Sequence, residues 1–111
     1  MIPLETIHEK VCKYFLIKPL FLFNRTRRVR VLYMRQIFHY LSKKMNGVRM
    51  SYVDIGSYLC DDETLNLSPF DHATVMNSCK KIEGYLTYDK DVIKDVENII
   101  NLITEKEKTV Q

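Results

Sequence analysis

Apolar residues recur every three or four positions over most of this chain, in stretches separated by short polar breaks, which is the pattern of successive amphipathic helices. Ile7, Val11 and Phe15 fall at helical spacing, Pro3 suits an early helical turn, and Thr6 and Glu9 stand at capping-box spacing. A first helix is expected from Pro3 or Thr6 to Leu16, broken by Lys18-Pro19. Leu20, Phe21, Leu22 and Phe23 read as a short buried turn, and Asn24-Arg25-Thr26-Arg27-Arg28 as a polar, basic loop. Met34, Ile37, Phe38, Leu41 and Met45 mark a long central helix, with Arg35, His39 and Ser42 facing away from that stripe and Gln36 and Lys43 towards its edges. Asn46-Gly47 is its stop signal. Ser51 is placed to cap a short helix through Leu59, with Tyr52, Ile55 and Leu59 inward, before an acidic, irregular stretch from Cys60 to Leu67.

Ser68-Pro69-Phe70-Asp71 carries a second set of start signals, so the next helix is expected to begin near Pro69 or at His72. Val75, Cys79, Ile82 and Leu86 share one side of it. Ala73, Asn77, Lys80 and Gly84 share the other, flanked by Thr74 and Lys81. After Thr87-Tyr88-Asp89, a last helix carries the stripe Val92, Val96, Ile99 and Ile103, widened by Ile93 and Ile100. Thr104 to Gln111 is polar and expected to fray.

Composition narrows the class. A chain of 111 residues with 46% apolar and 28% charged residues is expected to fold as one domain, over residues 1–104 with a tail at 105–111. Three Gly and three Pro are few enough to favour helices, so the expected fold is all-α, with five or six helices. No apolar run approaches the roughly 20 residues of a membrane span, and the N-terminus lacks a secretory pattern, so a cytoplasmic location is the default expectation. Cys12 and Cys79 fall on expected helices as small apolar residues, Cys60 is expected to be more exposed, and no His/Cys spacing suits a structural zinc. His8 and His39 are expected at the surface, Asp61-Asp62-Glu63 in a solvated loop, and most tyrosines at core edges.

The net charge of +3 conceals an uneven distribution. Residues 1–50 carry 11 Lys+Arg against 2 acids, whereas residues 51–111 carry 6 against 12. A basic helix packed on an acidic one accounts for part of this. It accounts less well for Arg25, Arg27, Arg28, Arg30 and Arg35, five arginines in eleven positions with no acid among them, which point to an anionic partner.

Two helices joined by a turn, the second with an outer face that is small at its start, amide-bearing in the middle and basic towards its end, suggest a helix-turn-helix suited to a DNA groove. An ordinary amphipathic helix with a solvated face has the same pattern, and Lys80 and Lys81 suit phosphate and solvent alike. The arginine loop favours the DNA reading, because loop arginines can follow phosphates or enter a minor groove.

Asp71-His72-Ala73-Thr74-Val75, followed by Ser78-Cys79-Lys80-Lys81-Ile82, resembles the signature of the C-terminal DNA-binding domain of the bacterial replication initiator DnaA family, whose common form is Asp-His-Thr-Thr-Val and then Ala-Cys-Arg-Lys-Ile. Val11-Cys12-Lys13-Tyr14-Phe15 with Ile17-Lys18, Arg25-Thr26-Arg27-Arg28, Arg35-Gln36 and Ile55-Gly56 extend the resemblance in order from about Leu4 to Ile103. It implies a Trp-repressor-like all-α fold and binding of duplex DNA at a DnaA-type box. It implies Arg27 in the minor groove, Arg35, Gln36 and Lys43 on the DNA backbone, Asp71 and His72 at base edges, and Thr74 on a phosphate. Ala73 stands where most members carry a Thr that touches a thymine methyl, and Cys60 to Phe70 is several residues longer than the usual Gly-Gly-Arg turn.

No nucleophile–base set or carboxylate pair is arranged for catalysis, and no Gly-x-x-x-x-Gly-Lys-Ser/Thr loop is present, so neither an enzyme, a cofactor nor a nucleotide site is expected. The residues expected at duplex DNA are Arg25, Arg27, Arg28, Arg35, Gln36, Lys43, Asp71, His72, Ala73, Thr74, Asn77 and Lys80. The alternatives are a protein-interaction module, with Asp61-Asp62-Glu63 as a docking surface, and a transcriptional regulator of a mobile element or phage.

Overall fold

A computed structural model of the chain describes residues 2–25 and 28–105. Arg27 and most of the expected tail, residues 106–111, lie outside the described residues. The fold is all-α: α1 (Leu4–Phe15), a 3-10 turn (Pro19–Phe23), α2 (Val29–Asn46), a second 3-10 turn (Gly47–Arg49), α3 (Tyr52–Gly56), α4 (His72–Tyr85) and α5 (Lys90–Thr104). None of these helices is long and apolar enough to cross a membrane.

Helix α1 starts directly after Pro3, whose carbonyl accepts from Thr6 N at 3.1 Å, so the Thr6–Glu9 pair lies within the helix rather than capping it. It ends at Leu16, which adopts the left-handed conformation (φ 59°, ψ 47°) with its side chain 90% exposed. The Pro19–Phe23 turn buries Leu22 and Phe23 but leaves Leu20 and Phe21 exposed, because a 3-10 turn of five residues offers only one inward side.

Helix α2 is the axle of the fold and packs against every other helix, most extensively against α4. Its stripe Met34, Ile37, Phe38 and Leu41 is buried, as the periodicity predicts. The expectation that Arg35, His39 and Ser42 face away from the core is corrected. All three are buried, as is Gln36, because α4 covers that side of α2. Their polar atoms are paired within the molecule: Arg35 Nη1 donates to Asn24 O at 2.8 Å, and Ser42 Oγ donates to Phe38 O at 2.6 Å. His39 Nδ1 meets Ser78 Oγ of α4 at 2.9 Å. The Ser78 hydroxyl donates to Thr74 O at 3.1 Å, so His39 Nδ1 carries the proton and Nε2 is left buried with no partner among the described residues. Burial, with the nearby Arg35 charge adding to it, pushes the His39 pKa down to about 3. His8 is buried too, not a surface residue: its Nε2 donates to Pro19 O at 2.7 Å and its Nδ1 accepts from Tyr58 Oη at 3.0 Å.

Gly47 ends α2 at φ 58°, a conformation that favours glycine. Ser51 and Asp54 form a reciprocal capping box at the start of α3: Ser51 Oγ accepts from Asp54 N at 3.0 Å, and an Asp54 carboxylate oxygen accepts from Ser51 N at 3.1 Å. Helix α3 stops at Gly56, short of the expected Leu59, and residues 57–71 form the connection to α4. Helix α5 closes the structure with Val92, Val96, Ile99 and Ile103 buried. Tyr14 and Tyr33 donate their hydroxyls to the two carboxylate oxygens of Asp95, each at 2.7 Å, and fasten α5 to α1 and α2.

Candidate nucleic-acid interface

Helix α4 carries the divided surface that its sequence predicts. Val75, Cys79 and Ile82 are buried against α2 and α3, while Asp71, His72, Ala73, Thr74, Asn77, Lys80, Lys81 and Gly84 are exposed. The helix begins at His72 with Asp71 at the N-cap, so the earlier start signal at Ser68-Pro69 is not used. Asp71 makes no side-chain cap; its Oδ1 instead lies 2.9 Å from His72 Nδ1. With Nδ1 engaged, Nε2 is the imidazole nitrogen left for an outside partner. The first-turn backbone N–H groups and helix dipole add positive potential at the same end.

Two features fix that end. Phe70 N donates to Gly56 O at 2.9 Å. In return the Phe70 carbonyl oxygen occupies space beside Gly56 that a Cβ would enter, at 2.1 Å. Only a residue without Cβ allows this approach of the connection to α3. Phe70 and Val75 occupy the N′ and N4 positions of a hydrophobic staple and both are buried. That spacing is the sequence signal by which Phe70, absent from the expected interface residues, could have been found.

The basic residues divide between inward and outward roles. Arg25 is exposed, yet its Nη2 donates to Ser68 O and Pro69 O, each at 2.9 Å. Arg35 is buried, which together with the charge of Arg25 lowers its pKa from the usual arginine value. Lys43, half-buried, donates to Gly47 O at 3.0 Å and Met50 O at 2.8 Å and lies 4.7 Å from the Tyr52 ring centroid, closing the end of α2. Gln36 is buried, and Arg28 is exposed at the N-cap of α2. The structure thus brings Asp71, His72, Ala73, Thr74, Asn77 and Lys80 onto one open face, with Arg25 tied to the connection that leads into it. Asp61, Asp62 and Glu63 are exposed in that connection, and among the described residues no cluster of His, Cys, Asp and Glu is arranged for a metal ion.

Comparison with known proteins agrees with this geometry. A chromosomal replication initiator protein DnaA from Ehrlichia ruminantium is 36% identical over 101 residues, covering 90% of this chain and 19% of that protein. The protein of the same name from Bdellovibrio bacteriovorus is 33% identical over 98 residues, covering 88% of this chain and 19% of its own length. That from Bacteroides thetaiotaomicron is 30% identical over 105 residues, covering 95% and 20%. The chain therefore spans about a fifth of the length of the relatives it matches. The family model described as bacterial dnaA protein helix-turn-helix matches residues 4–82, from the start of α1 to the last buried residue of α4, and the chain belongs to that family.

Proposed function

We propose that this chain binds duplex DNA sequence-specifically, at a DnaA-type box, in replication initiation or its regulation. The observation that carries the reading is the open face of α4, where small and hydrogen-bonding residues cluster at the first turn, an amide, Asn77, follows about one turn on and a lysine, Lys80, about two turns on. In the major groove a carboxylate such as that of Asp71 accepts from cytosine N4, His72 Nε2 meets a base edge, and the Ala73 methyl packs on a thymine methyl. Thr74, Asn77 and Lys80 border this reading edge and reach phosphates, which set register without reading sequence. Arg25, Arg27 and Arg28 bring the basic loop to the backbone and the adjacent minor groove, with Arg27 as the inserted residue. Arg35 and Lys43 act with the N–H groups that their internal bonds leave over, since a guanidinium has five donors and an ammonium three. Gln36 is assigned to the backbone beside them.

Selection of bound sequences from random duplexes, followed by affinity measurement on the winning box and its scramble, tests the proposal. Arg27→Ala and His72→Ala are each expected to weaken box binding by about 1–3 kcal/mol, and affinity should fall steeply as salt rises. Equal affinity for box and scramble refutes sequence reading, and salt-independent binding refutes the phosphate contacts.

A further inference from the structure

Where Asn24-Arg25 meets the start of α4, Arg25 and Arg35 share a ring to which the proposed reading gives no part, that of Phe70. The Phe70 ring is buried, with the Arg25 guanidinium carbon 3.8 Å from its centroid and that of Arg35 at 4.8 Å. His39 closes its edge, ring centroids 5.5 Å apart. Arg25 spans to Ser68 O and Pro69 O, Arg35 holds Asn24 O, and Gly56 O holds Phe70 N. An unbroken line of contacts therefore runs from α2 through Asn24 and Arg25 to Phe70. One peptide bond beyond Phe70 is Asp71, and two peptide bonds beyond Arg25 is Arg27.

We infer that Arg25 and Phe70 are positioning residues that lock the described entry to the basic loop, Asn24-Arg25, to the first turn of α4, so that substitutions at Arg27 and at the Asp71–His72 edge act on DNA binding as a single coupled event. This rests on the DNA-reading role proposed above. Arginine suits the lock because its planar guanidinium stacks on a ring face while its N–H groups bridge two carbonyls, which a lysine ammonium does not reproduce. The arrangement is also poised for an anion. Two cations share one ring, and among the described residues neither is bonded to a carboxylate. A nearby DNA phosphate relieves their repulsion, so binding tightens the lock.

Arg25→Lys separates the lock from a simple phosphate contact, because it keeps the charge and removes the planar bridge. Phe70→Leu removes the ring but keeps apolar bulk, and Phe70→Tyr keeps the ring. For the full chain in each background, the box-to-scramble affinity ratio is measured with Arg27→Ala, His72→Ala and both together. In the wild-type background the double variant is expected to lose about tenfold less specificity than the product of the single losses, the size of a coupling between interacting sites. In the Arg25→Lys and Phe70→Leu backgrounds the losses should simply multiply; Phe70→Tyr should keep the coupling. Unchanged coupling in Arg25→Lys overturns the lock, and so does absence of coupling in the wild type when each single substitution lowers specificity. In both cases DNA reading itself still stands. If Arg27→Ala and His72→Ala leave box affinity unchanged, the DNA-reading proposal fails first and the lock with it. Arg25 is exposed, so its substitution tests the lock even where Phe70→Leu does not fold.

Discussion

Replacing Gly56 with alanine pushes a methyl group into main chain rather than into a movable side chain. The added Cβ would lie 2.1 Å from Phe70 O, 3.2 Å from Phe70 C and 3.4 Å from Val75 Cγ2. The connection must retreat, which strains packing by about 1–3 kcal/mol and loosens the 2.9 Å bond from Phe70 N to Gly56 O, worth about 1 kcal/mol. Alanine's better helix propensity returns up to about 1 kcal/mol, so a net loss of about 1–3 kcal/mol is expected. For a domain of this size that is a fall of about 4 °C or more in melting temperature. Thermal and urea denaturation followed by circular dichroism measure it. Gly84→Ala is the matched control: it also lies in a helix, has nothing within 4 Å of an added Cβ, and should gain up to about 1 kcal/mol. A Gly56→Ala protein within about 0.5 kcal/mol of wild type, the range of an ordinary surface change, refutes the close approach of Phe70 to α3.

Ser51→Ala breaks the capping box of α3 and should lower stability by about 1 kcal/mol in urea denaturation; no loss removes the cap from the account. His39 gives a pH signature. Its folded pKa of about 3 lies below the value of 6.5 that it resumes on unfolding, so the unfolded chain binds a proton that the folded chain refuses between those limits. The contribution is intact above about pH 6.5 and declines as pH falls towards 3, by up to about 1.4 kcal/mol per pH unit. Stability curves of wild type and His39→Gln from pH 7 to 4 should therefore diverge in slope, and parallel curves refute a buried neutral imidazole.

The outer face of α4 was legible in the sequence because one helix resting on one neighbour has one buried stripe, and Val75, Cys79 and Ile82 state it. The start of that helix was not legible in the same way. Ser68-Pro69 has good local capping chemistry, but Arg25 takes the Ser68 and Pro69 carbonyls and Gly56 takes the Phe70 N–H, so tertiary bonds move the start to His72. Helix α2 misled for the complementary reason. From Met34 to Ser42 every residue of α2 is buried, so this stretch has no solvent face, and Arg35, His39 and Ser42 look like surface residues only until their internal partners are known. The end of α2 was legible because a glycine, Gly47, stands where the chain turns to positive φ. Phe70 was overlooked at the site because stacking by arginines from distant positions leaves no periodic trace.

The hydroxyl clasp on Asp95 bears on how fast this protein finds its partner. Because Tyr14 and Tyr33 hold α5 with uncharged donors, the acidic helix is anchored without spending an arginine on it. Arg25 and Arg35 bond to carbonyl oxygens and, among the described residues, to no carboxylate, so their charge is not cancelled locally. In the field of a polyanion such a body experiences a torque as well as a pull, so it turns its arginine-bearing end forward before contact and a larger fraction of collisions becomes productive. Under the proposed DNA binding, the tyrosines on α1 and α2 thus serve the approach without belonging to the proposed interface.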